Sequence, residues 1–198
     1  LFKMIDVFGD RISINGEELY PVIIDSFIVP GAFITKTARV YSAIKNVRIP
    51  TKSRGYMSVV DLSCMKERKP PKYYMNKMGK ILYEFSVPSD WEGLDKWKQE
   101  NQRVHSLTKE GKEIKRKGRI HKLLHQVMMQ TFKPIDKYPP DRLKDCWKDI
   151  PEQAKQWIRE TAIINHKDHN PLNCLLDNLE WVTFRENTQK SVDYYGGV

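Results

Sequence analysis

Residues 163–190 read IINHKDHNPLNCLLDNLEWVTFRENTQK, and most of the chain's candidate chemistry lies there. One imidazole, His166, stands beside the carboxamide of Asn165, with further carboxamides at Asn178 and Asn187. An imidazole can take a proton from water near neutral pH. Carboxamide oxygens suit a hard divalent cation such as Mg²⁺ or Mn²⁺, which often completes its shell with substrate phosphates. A base for water beside a cation for phosphate oxygens is equipment for hydrolysing a phosphodiester.

Such groups must be brought to one place by rigid elements. Ile163-Ile164 predicts the end of a strand with Asn165-His166 at its tip. Residues 167–178 are rich in Asp and Asn and predict a compact ordered loop. Leu179-Glu180-Trp181-Val182 alternates as a second strand. Thr183 and Glu186 have capping-box spacing, so a helix begins there and carries Asn187 in its first turn. Upstream, the apolar spacing of Ile120, Leu123, Leu124, Val127, Met128 and Phe132 predicts a core helix over 120–132. Asp149-Ile150-Pro151-Glu152 opens another helix reaching about Thr161, and Ser89-Asp90-Trp91-Glu92 opens one reaching about His105. The front of the chain reads as strands. Asn15-Gly16 marks a tight hairpin, residues 31–66 form short strands and turns, Lys66–Lys72 is a basic connector, and 111–119 is a loop or hairpin tip.

The chain has 198 residues, 40% hydrophobic and 30% charged, with mean hydropathy of -0.61. That is enough apolar material for a core and too little for a membrane span, since no apolar run approaches the ~18 residues required. No signal-peptide pattern opens the sequence. Cys64, Cys146 and Cys174 are widely spaced and form no disulfide framework, which fits a reducing cytoplasm. The formal charge is +9 and unevenly distributed. Residues 36–80 hold twelve basic and two acidic groups, and 101–122 hold eight and two, whereas 163–198 hold three and five. Two basic blocks before a mildly acidic tail fit a phosphate backbone as partner, or simply a solvated surface.

The C-terminal pattern closely resembles the HNH endonucleases, in particular the phage homing and free-standing types. The residues that carry it are Ile164-Asn165-His166-Lys167-Asp168, Asn173, Asn178 through Thr183, and Glu186-Asn187. Ile120 through Leu124, continuing to Phe132, match the helix preceding that motif. Ala32 through Thr35, Arg39 through Ser42 and Gly55-Tyr56 look like a small module that often precedes the core. The resemblance implies an α+β protein in which a ββα-metal nuclease core at 119–198 follows a β-rich basic region at 1–118. Residues 67–118 and 134–160 lie outside the family pattern as insertions. His166 is then the general base, Asn187 and Asn165 hold the metal, and Asn178 braces the loop and orients the histidine. Many members have Asp where this chain has Asn165. Asp168, His169 and His121 are further candidates for contact with metal or substrate.

The partner so implied is double-stranded DNA, bound by a monomer, in the host cytoplasm if the chain is phage-encoded. Arg39, Lys45, Arg48, Lys52, Arg54, Lys112, Lys115, Arg116, Lys117 and Arg119 would track its phosphates. Eleven residues follow Asn187, too few for the helix-turn-helix module of many homing members. Zinc is not expected. His121 and His125 at i, i+4 on one helix lack the Glu of a zinc-protease motif, and Cys146, Cys174 and His169 lack paired short spacings. The rival readings are a non-catalytic nucleic-acid-binding protein that kept a degenerate HNH fold, kept open by Asn165, and an RNA-directed role.

Overall fold

The computed structural model describes residues 5–8, 11–43, 46–50, 56–60, 65–68, 79–87, 91–95 and 118–196, with backbone alone at 5–8, 11, 46–50 and 56–60. The described part mixes α and β structure. Asn15 and Gly16 adopt φ of 53° and 78°, the left-handed pair that a two-residue hairpin needs. They join β2 (Arg11–Ile14) to β3 (Glu17–Ile24), with β1 (Ile5–Phe8) on the outer side. Next come β4 (Phe27–Ile34), β5 (Val40–Ala43), a separate hairpin of β6 (Asn46–Pro50) and β7 (Tyr56–Val60), and β8 (Met65–Arg68). The sheet order is β1-β2-β3-β4-β5-β8. Lys66 and Arg68, expected in a connector, are therefore strand residues paired with β5.

The β3–β4 pair shifts register between Pro21 and Ile23. Opposite, Gly31 takes φ of 70°, which only glycine adopts freely within a strand. The irregularity changes which parity of β4 faces inward, so Val29, Ala32 and Ile34 all join the main core. Phe33 faces the other side, with Ile14, Leu19, Tyr41 and Met65.

β9 (Leu82–Val87) pairs antiparallel with β10 (Gly118–Leu123), and α1 (Leu124–Phe132) follows directly. This corrects the helix expected over 120–132. Gly118 and Ile120 are buried and Arg119 between them is exposed, a strand's alternation. The i, i+4 spacing of Ile120 and Leu124 mimicked a helix because strand gives way to helix between them. His121 and His125 consequently share no helix face. His121 sits opposite Glu84 across the ribbon, with Nε2 at 3.0 Å from Oε2, while His125 is buried in α1. Of the helix expected from Ser89 onward, residues 93–95 are helical and 96–105 lie outside the described residues.

α1 is the hub. Ile23 N–H donates to Thr131 and Asp25 N–H to Gln130, while Lys122 pairs with Asp25 at 2.9 Å. Val127 and Met128 are fully buried in one apolar cluster with Val22, Ile24, Phe85, Ile120 and Leu179. Each large side chain buried there contributes about 1.5–3 kcal/mol. The cluster spans the front sheet, the β9–β10 ribbon and the C-terminal third. α2 (Glu152–Thr161) then begins after Pro151, as the sequence predicts, with Arg159 paired to Asp136 and Glu152. Among the described residues no helix is long and apolar enough to cross a membrane.

Candidate active site

β11 (Ile163–His166) and β12 (Leu179–Val182) pair antiparallel, with Ile164 opposite Trp181, Asn165 opposite Glu180 and His166 opposite Leu179. The Thr183 hydroxyl accepts from Glu186 N–H and the Glu186 carboxylate accepts from Thr183 N–H, which starts α3 (Phe184–Tyr195) as the spacing predicts. Asn187 N–H donates to Thr183 O, putting this residue in the first turn. Asn187, Lys190 and Ser191 are half-buried at i, i+3 and i+4, the face that α3 turns toward the strands.

Loop 167–178 is tied by its own polar side chains. Asn178 Oδ1 accepts from Asp168 N–H at 3.0 Å, and Nδ2 donates to Asp168 Oδ1 and Asn173 O, each at 2.8 Å. Asp168 also accepts from Asn170 N–H and Asn173 Nδ2. The Asn173 bond, then the Asn170 bond, hold the Asp168 carboxyl below the usual range. Asp168 is the hub of the loop's bonding. His169 adopts φ of 56° and stacks on Tyr194 of α3 with ring centroids 4.0 Å apart.

Neighbouring residues of a strand face opposite sides. Asn165 faces α3, where Nδ2 donates to Glu180 Oε1 at 2.7 Å and Lys190 pairs with the same carboxylate. The opposed bonding orients the carboxamide and leaves Oδ1 turned away from Glu180. Burial alone would raise the Glu180 carboxyl, but the bonds from Lys190 and Asn165 outweigh it and hold it low. His166 faces α1, alongside Ile164 and Trp181, whose Nε1 donates to Lys133 O at 2.8 Å. Its ring meets His125 edge-on with centroids 5.0 Å apart, and Cys174 Sγ lies 3.9 Å from its Nε2. The His166 imidazole and the Asn165 carboxamide therefore face opposite sides of the ribbon.

Residues 150–189, which hold α2, both strands, the loop and the first half of α3, match the family model for HNH endonuclease. The chain carries an HNH endonuclease domain. No curated protein and no solved structure matches the chain. The HNH match starts at 150, so α2 belongs to the family pattern and is not part of an insertion ending at 160. An HNH domain is a nuclease domain, and its substrate is nucleic acid.

The donors on the α3 side of the HNH domain suit a hard cation. Asn165 Oδ1 is turned away from Glu180, Glu180 brings a carboxylate, and the Asn187 side chain makes no hydrogen bond among the described residues. Glu180 sets a carboxylate beside the neutral Asn165 carboxamide, and Lys190 pairs with it. Residue type alone did not mark Glu180, but the hairpin register did, since it stands directly opposite Asn165.

The expected DNA-contacting residues divide into three groups. Arg39 is held by Glu17 and Glu67 at 3.1 and 2.9 Å. Arg119 is 65% exposed and 3.5 Å from Glu84. Arg48 lies in β6, where the backbone alone is described, and Lys45, Lys52, Arg54, Lys112, Lys115, Arg116 and Lys117 lie outside the described residues.

Burial, then Lys80, then His166 push His125 down to about 3. Burial and Lys80 also lower His166, which Asp168 partly offsets. Burial pushes the Cys174 thiol up to about 11. Both imidazoles are therefore neutral at neutral pH. Below pH 6.5 the unfolded chain binds protons that folded His125 refuses until about pH 3, so stability falls with pH across that window. The expected slope from His125 is about 1.4 kcal/mol per pH unit. Denaturant titrations from pH 7 to pH 4 measure it, and H125Q should flatten it. An equal slope in both proteins would refute the assignment.

Proposed function

We propose that this chain is a metal-dependent DNA endonuclease in which His166 is the general base and Asn165 and Asn187, aided by Glu180, hold Mg²⁺ or Mn²⁺. The supporting observation is the split across the β11–β12 ribbon, with the His166 imidazole toward α1 and Asn165 and Glu180 toward α3. In-line displacement at phosphorus needs the attacking and leaving oxygens on opposite sides. A phosphate at the end of the ribbon would have a proton acceptor on one side and oxygen donors on the other. The cation's chemistry there is stabilisation of the charge that grows on the phosphate and leaving oxygens.

His166 lifts a proton from the attacking water. Cys174 lies against Nε2, so Nδ1 is the nitrogen that serves. Asn178 and Asp168 hold the loop that carries Cys174 and flanks His166. Lys190 competes with the cation for Glu180 in the free protein, which favours tight cation binding only when phosphate is present. The region 1–118 grips the backbone through its basic block, and 119–198 cuts. With one site per monomer, a nick is the expected product. The resemblance to phage-type members points to a homing or free-standing enzyme acting in the cytoplasm.

Supercoiled plasmid incubated with the protein and Mg²⁺ or Mn²⁺ should convert to open circles, and EDTA should prevent this. No conversion with either ion would leave the binding-only reading standing, and cleavage of an RNA duplex instead would select the ribonuclease reading.

The base must be unprotonated to work, so activity falls as pH drops through the His166 pKa and is flat above it. Lys80 helps to hold that pKa down. Lys80→Met should therefore move the acid limb of the pH–rate profile to higher pH. A shift toward lower pH, or none, would remove Lys80 from the electrostatics of the base.

A further inference from the structure

We propose that His125, His166 and Cys174 form a second metal site, behind the base, for an ion of the zinc class, and that filling it silences His166. The three side chains come from α1, the end of β11 and the loop, and their ligand atoms all lie within 4.8 Å of one another. Their residues are 4%, 7% and 3% exposed. Cys174 Sγ and His166 Nε2 are 3.9 Å apart. His125 Nδ1 is buried with no hydrogen-bond partner. A buried, unpartnered ring nitrogen is costly, and a residue without one would fill that position more cheaply. Its retention beside a second imidazole and a thiol is what a ligand set provides.

Two nitrogens and one sulfur suit a borderline ion, whereas Mg²⁺ takes oxygen. Zinc bonds of about 2.0–2.3 Å put tetrahedral ligands roughly 3.5 Å apart. The cluster therefore has to close by about 1 Å, within the reach of side-chain rotation, with water or an anion in the fourth position. On binding, Cys174 loses its thiol proton to solvent and both imidazoles bind neutral. A neutral imidazole bound through Nε2 carries its proton on Nδ1 and cannot accept another. The silencing, though not the site, rests on His166 being the base. The site differs from the oxygen-donor set on the α3 side and from the Cys146, Cys174 and His169 trio weighed from sequence. Among the described residues this is the group that gathers.

The test uses the full chain, stripped of metal and titrated with Co²⁺. One equivalent should give tetrahedral visible bands and a thiolate-to-cobalt charge-transfer band. C174S should lose the charge-transfer band, H125Q should weaken binding by about tenfold or more, and Zn²⁺ should displace Co²⁺ where excess Mg²⁺ does not. Absence of the charge-transfer band in the parent chain overturns the site whatever the variants do, as does an unchanged spectrum in folded C174S or H125Q. In Mg²⁺-supported nicking, Zn²⁺ should inhibit the parent and spare C174S and H125Q. Equal inhibition of all three overturns the silencing. The cobalt spectrum needs no nuclease activity, so failure of the nuclease reading leaves the site to be judged on its own.

Discussion

Replacing His166 with Ala should lower plasmid nicking by on the order of 10²- to 10⁴-fold, the usual worth of a general base, with DNA affinity nearly unchanged. Affinity is expected to survive because phosphate contacts come from basic side chains spread over the molecule. The ring is 7% exposed and packs edge-on against His125, so its removal also leaves a cavity. His166→Gln keeps more of the volume and should be equally inactive, which separates lost chemistry from lost packing. Single-turnover nicking, a salt-dependent binding titration and a thermal melt give the three readouts. Parent-like nicking by a folded His166→Ala protein would end the catalytic assignment.

Asn178→Ala should cost about 1–3 kcal/mol of stability and on the order of 10²-fold in turnover, with little change in DNA affinity. The stability figure follows from three hydrogen bonds, each worth about 1 kcal/mol, in a partly exposed loop. The turnover figure follows from small displacements of a positioned group, which can cost about 10²-fold. Losing those bonds unties residue 178 from Asp168 and Asn173 and loosens the loop that carries Cys174 against His166. Asn178→Asp should not rescue, because it keeps the acceptor for Asp168 N–H but turns a carboxylate toward the Asp168 carboxylate. A variant that melts and turns over like the parent would show that the loop needs no such brace.

The C-terminal third was legible from sequence because its signals are local. Strand alternation in 179–182, the Asp and Asn clustering of 167–178 and the Thr183–Glu186 box each act over a few residues, and the elements appear where those signals predict. The front hairpin at Asn15-Gly16 was legible for the same reason, since two left-handed residues suffice to fold it. The stretch 118–123 was misread because its strand state depends on pairing with 82–87, far back in the chain, while its apolar spacing also fits a helix. Arg39 reads from sequence as a phosphate contact, and only folding sets Glu17 and Glu67 against it.

Residue order alone determined that an imidazole at a strand tip and a carboxamide in a first helical turn belong to one strand-loop-strand-helix unit, because bonds a few residues long define it. Tertiary structure decided what faces each group. Pleating sent Asn165 and His166 to opposite sides of the ribbon, the hairpin register set Glu180 against Asn165, and packing of α1 brought His125, with Cys174, against His166. Those contacts join residues distant in the chain, held by burial of a shared core, and burial has no short-range signature.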